Sequence, residues 1–142
     1  MIRSDWVLEN LKIEVFVKFM SQIDQLNKDN KQVKESRVVE RWPDGLPKLM
    51  YSRVAIPLMT DRESLIQLTI DKVSDTVYNF VVESVEREDF PEQKGVIRME
   101  TFKASRVEQV GPNLKIMEFL TFDIKGSVPT MLINMMMASQ VQ

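Results

Sequence analysis

Six stretches that read as strands, several by alternating apolar and polar residues and the rest by β-branched content and turn bounds, are joined by turns and short loops and constrain this chain more than any other feature. They run over 33–42, 48–56, 63–73, 76–85, 94–107 and 114–124. In the third, Ile66, Leu68 and Ile70 share one face while Gln67, Thr69 and Asp71 share the other. In the last, Leu114, Ile116, Leu120 and Phe122 share a face. A period of two is the signature of a strand with one buried side. The connectors carry turn chemistry: Pro43-Asp44-Gly45-Leu46-Pro47, Ser74-Asp75 and Gly111-Pro112-Asn113. Proline presets φ there, and Asp-Gly tolerates tight backbone. Consecutive strands on short turns make an antiparallel sheet, and such a sheet has a face that needs cover.

Two helices supply candidates for that cover. Over 7–26, Val7, Leu8, Leu11, Val15, Phe19, Met20, Ile23 and Leu26 recur at helical spacing, with Ser4 or Asp5 as the cap. Ile13, Val15, Val17 and Phe19 also alternate as a strand would, but the pattern outlasts a usual strand. At the other end, Gly126 closes the sheet and Pro129 suits a first helical turn. Leu132, Ile133, Met135, Met136 and Met137 surround the helix expected over 130–141. The sequence therefore predicts one α+β domain over 1–142: a curved antiparallel sheet of about six strands between an N-terminal and a C-terminal helix.

Composition excludes several functions. The chain of 142 residues has no His and no Cys, so neither a disulfide framework nor a His- or Cys-based catalytic site is available. A net charge of -2 with interspersed signs offers no basic stripe for nucleic acid. No apolar run reaches the roughly 18 residues of a membrane span, and acidic residues interrupt the N-terminus before a signal peptide's apolar core forms. The expected location is intracellular, in the cytoplasm or at an organelle. Ten Met residues would line either a plain core or a pliable ligand wall. Glu86, Glu88, Asp89 and Glu92 surround Arg87 without EF-hand spacing and read as a solvated loop.

Three motifs, in order, resemble the START family of lipid-transfer domains. PLMTDRE at 57–63 resembles the family's Pro-x-x-x-x-Arg-Asp signature, with Glu63 where Asp is usual. FPEQKGVIRME at 90–100 and DIKGSVPTMLIN at 123–134 look like the steroidogenic acute regulatory protein branch. The resemblance implies a helix-grip fold, in which a curved sheet wraps a C-terminal helix and a sterol or phospholipid lies between them. It implies no cofactor and no covalent chemistry, and transient contact with a membrane surface.

On that resemblance the ligand-binding candidates are Arg62, Leu68, Arg98, Glu100, Leu132, Ile133, Met135 and Met136. Arg62 has a competing role as a structural partner at a strand start, for instance of Glu63. Arg98 and Glu100 would pair inside a cavity if their strand face lines one, and are ordinary surface residues if it faces water. Lys94 and Lys125 would meet anionic headgroups or serve solubility alone. There are departures. The family's opening helix and about three strands have no counterpart, which leaves a sheet edge for a protein partner to cover. Counting six residues from Arg62 puts Leu68 where the family often carries a cavity arginine. Lipid binding and transfer is the leading expectation. A START-like accessory subunit of a larger assembly, without transfer activity, is the second. An isomerase or cyclase on a related cavity fold, with Asp, Glu, Tyr or Lys as its acid–base groups, is the third.

Overall fold

The computed structural model describes residues 1–26, 28–127, 129–131 and 134. Its frame is a sheet of eight strands with little helix: β1 (Ile2–Leu8), α1 (Ile13–Ser21), α2 (Ile23–Leu26), β2 (Val33–Arg41), β3 (Pro47–Val54), β4 (Arg62–Ser74), β5 (Val77–Ser84), β6 (Ile97–Arg98), β7 (Glu100–Val110) and β8 (Asn113–Asp123). The strand order is β1-β8-β7-β5-β4-β3-β2, with β6 beside the start of β4. All pairs are antiparallel except β4 with β6.

The short connectors act as the sequence predicts. In the β2–β3 turn the Trp42 N–H donates to the Leu46 carbonyl at 2.8 Å, and Asp44 accepts from the Leu46 N–H at 2.9 Å. Gly45 sits there at φ 87°, a region glycine enters without penalty. Between β7 and β8 a two-residue turn joins Val110 to its partner Asn113.

Three expectations need correction. The helix expected over 7–26 starts later, because residues 2–8 form β1, paired along its length with β8 from Ile2↔Leu120 to Leu8↔Leu114. Ser4 and Asp5 therefore lie in a strand and cap nothing. The spacing of Val7, Leu8 and Leu11 fits a helix locally, but pairing with a distant strand overrides it. The strand expected over 94–107 also begins later. The Val96 N–H bonds the Gln93 carbonyl at 3.2 Å in a turn with Gly95 at φ 78°. The chain then pairs with β4 for two residues, breaks at Met99, and re-pairs with β5 and β8 as β7. Eight strands replace six. Of the expected C-terminal helix, Thr130, Met131 and Asn134 are helical, and the rest lies outside the described residues.

The sheet carries a core on each face. Leu68 and Leu65 are three apart on β4, so they point opposite ways. Leu68 packs with Ile13, Phe80, Val107, Leu114 and Ile116 under α1. Leu65 packs with Leu49 and Tyr51, covered by Val85 and Phe90 of the segment between β5 and β7. Gln109 of β7 fastens α1 over the first core. Its Oε1 accepts the Ile13 N–H at 2.8 Å, and its Nε2 donates to the carbonyls of Leu11, Gly111 and Asn113 at 3.2, 3.0 and 3.0 Å. That satisfies one of the donors a helix N-terminus leaves open.

Candidate functional site

Among the described residues, the packing on the α1 side of the sheet leaves a concavity. A pocket of about 220 Å³ opens between α1 and strands β1, β5, β7 and β8. Trp6, Leu8, Phe16, Met20, Phe80, Val82, Val107 and Ile116 form its apolar wall. Phe16 meets Phe80 edge-on, with ring centroids 5.6 Å apart. The remaining lining is polar and clustered: Lys103, Ser105 and Glu118. Ser105 lies directly opposite Glu118 across β7 and β8, and Lys103 sits two residues along on the same face. The Ser105 hydroxyl donates to Glu118 Oε2 at 3.2 Å, and Lys103 Nζ lies 3.2 Å from the same oxygen. Glu118 is the more enclosed partner, with 14% of its side chain exposed against 35% for Lys103. A charge so enclosed persists because it is paired.

A second construction, spanning both faces, is built on the first two residues of β4. Arg62 and Glu63 are both buried, and as neighbours on a strand they point to opposite faces. Arg62 donates to the Ile124 carbonyl at 3.0 Å, the Lys125 carbonyl at 3.1 Å and the Thr60 carbonyl. Glu63 accepts from the Tyr51 hydroxyl at 2.8 Å, the Gln93 N–H at 3.1 Å and Arg98 at 2.9 and 3.1 Å. Arg98 also donates to the carbonyls of Phe90 and Pro91 at 3.0 and 3.2 Å. The Phe90 ring takes the guanidinium groups of Arg37 and Arg98 at 5.3 and 6.0 Å. The motif at 57–63 thus grips the motif at 90–100 through Glu63 and the motif at 123–134 through Arg62. Burial first, then the hydrogen bond to Glu63, pushes the Tyr51 hydroxyl well above its ordinary 10.0.

These contacts place the residues singled out from sequence. Leu68 lies on the pocket-bearing face, buried in the core under α1. Arg62 spends its donors on backbone carbonyls, and Arg98 pairs with Glu63 rather than with Glu100. Glu100 is exposed and meets Lys125 at 3.0 Å, while Lys125 also reaches Asp123 at 3.2 Å. Arg62, Arg98 and Glu100 do not line the pocket under α1; Arg98 and Glu100 line a separate, more polar cavity of about 420 Å³ with Glu86, Glu92 and Lys125, and Leu132, Ile133, Met135 and Met136 lie outside the described residues. Arg87 pairs with Asp89 and with Glu40 in the acidic loop. Among the described residues no group of carboxylates is arranged to hold a metal ion.

The model of the START domain matches residues 6–141, nearly the whole chain. The chain belongs to the START family. Solved structures agree on the fold of this START domain. Human STARD10 superposes with a TM-score of 0.75 at 16% identity, covering 97% of this chain and 59% of its own. A STAR-related lipid transfer protein of Xanthomonas axonopodis gives 0.73 at 17% identity, covering 95% and 75%. Human StAR-related lipid transfer protein 5 gives 0.71 at 14% identity, covering 98% and 68%. The START domain described here thus spans 59% of the STARD10 chain. Among curated protein sequences nothing matches it. No described helix of the domain is long and apolar enough to cross a membrane.

Sequence reasoning missed Lys103, Ser105 and Glu118. The signal was present: Glu118 interrupts the apolar face of Leu114, Ile116, Leu120 and Phe122. A charge in the middle of a core-facing alternation is a departure to examine. It was legible only once 100–110 and 113–123 were put in register, which brings Lys103 and Ser105 to it.

Proposed function

We propose that residues 1–142 act as a single lipid-binding START domain that holds an apolar lipid, such as a sterol, between the sheet and its helices. The observation that carries this reading is the apolar pocket that the described residues form under α1. A concave, mostly apolar pocket with a few convergent polar groups is the usual form of a small-molecule site. A space of about 220 Å³ walled by Phe16, Met20, Phe80, Val82, Val107 and Ile116 offers apolar contacts to a ligand. The names of the similar structures, which include lipid transfer proteins, support the same reading. In this reading Leu68 stiffens the floor, and Leu132, Ile133, Met135 and Met136 contribute apolar cover. Transfer between membranes would follow from release at a membrane surface. Lys125 contributes little to that contact, because Glu100 and Asp123 already occupy its charge.

A second reading has one observation in its favour. β1 and β2 are the two edges of the described sheet, and an edge strand presents unpaired backbone groups to a partner chain. A START-like accessory subunit would cover such an edge with another protein. Native mass spectrometry of the gently purified chain separates the two. A monomer carrying one lipid mass supports the carrier; a chain found only in a larger assembly, without lipid, overturns it in favour of the subunit.

A further inference from the structure

We infer that Lys103, Ser105 and Glu118 select the ligand's polar end, and that the class they select is a neutral hydroxyl rather than a carboxylate or phosphate. The inference rests on the lipid-binding reading above and deepens it. The three residues form the polar part of an otherwise apolar pocket. Their internal bonds all converge on Glu118 Oε2. Among the described residues, Glu118 Oε1 accepts no hydrogen bond, and Lys103 Nζ, which carries three donors, contacts Glu118 alone. The cluster therefore offers an acceptor and donors side by side.

An alcohol uses both, donating to Glu118 Oε1 and accepting from Lys103 Nζ. An ether has no proton for the carboxylate. A carboxylate or phosphate ligand meets Lys103 already neutralised, and meets Glu118 as a like charge. Sites built to bond a hydroxyl discriminate strongly against analogues that leave their polar groups unpaired. The discrimination resides on the rigid β7–β8 pair, whose register is continuous from Glu100↔Asp123 to Val110↔Asn113.

The test uses the full chain loaded with a neutral fluorescent lipid, displaced in turn by 1-dodecanol, dodecyl methyl ether and dodecanoate. The expected result is displacement by the alcohol at about ten-fold lower concentration than by either of the others. In Glu118→Gln the ranking changes, with dodecanoate gaining at least several-fold because Lys103 loses its counter-charge. Lys103→Met provides the complementary arm: it lowers the alcohol's advantage without rescuing dodecanoate. Equal displacement by the three probes, or preference for dodecanoate by the unaltered chain, overturns the hydroxyl assignment while leaving lipid binding in place. Failure of the unaltered chain to take up the fluorescent lipid overturns both. The comparison on the unaltered chain stands alone if either variant fails to fold.

Discussion

Glu63 concentrates much of the molecule's polar stability in one carboxylate. It is fully buried, and the side chain of its partner Arg98 is 9% exposed, so neither charge has water to fall back on. Removing one member of such a pair leaves the other uncompensated. Glu63→Gln is expected to destabilise by about 3 kcal/mol in urea unfolding, more than a surface pair would. Tyr51 shares the site and gives it a pH signature. Its raised value means that the folded state keeps a proton the unfolded state loses. Its contribution is complete below the ordinary tyrosine value of 10.0 and declines as pH rises past it. The stability advantage of the unaltered chain over Tyr51→Phe should thus be constant near neutrality and shrink above about pH 10. An advantage that grows with alkalinity would contradict the assignment. Residue-scale legibility was uneven. Arg62, Glu63 and Arg98 stood out within motifs, but which charge met which partner depended on the break at Met99, where the strand changes neighbours. That break turns Arg98 towards Glu63 and leaves Glu100 at the surface.

At the scale of elements, two attachments tie distant segments together, one of them at the pocket. Gln109 ties the start of α1 to the β7–β8 turn through four hydrogen bonds. Gln109→Ala should cost about 1–3 kcal/mol, since it leaves the Ile13 N–H without its partner. Hydrogen exchange should accelerate in α1 before it does in β4. Uniform acceleration over both elements would mean that Gln109 stabilises the whole fold and does not tether the helix. Arg62 performs the other attachment, holding the exit of β8 beside the start of β4. Gly126 follows immediately at φ 74°, and a Cβ there would stand 3.3 Å from Ile97 and 3.4 Å from Arg62. Gly126→Ala combines a strained backbone with that crowding, and about 1–2 kcal/mol of destabilisation is expected in thermal or urea unfolding. The hairpins were readable from sequence because period-two alternation and turn residues are local signals. β1 was not, since its seven residues are specified by a partner more than a hundred positions away.

Across the whole molecule, the START fold divides its labour by face. One face of the sheet carries the Glu63 network, with polar clefts lined by Arg98, Glu86 and Glu92 beside it. The other carries α1 and, among the described residues, an apolar pocket of about 220 Å³. Fold class followed from the alternating pattern, whereas a void is a property of packing that no single residue type announces. The account's central claim is that this void is the lipid site. The most direct measurement is equilibrium binding of a neutral fluorescent lipid to the unaltered chain and to Val82→Trp, which places an indole in the pocket. The account predicts saturable binding of one lipid per chain. It also predicts a loss of at least roughly ten-fold in affinity, equivalent to about 1.4 kcal/mol, in a variant that still unfolds cooperatively. Equal binding by the two proteins, or no binding by the unaltered chain, would contradict it.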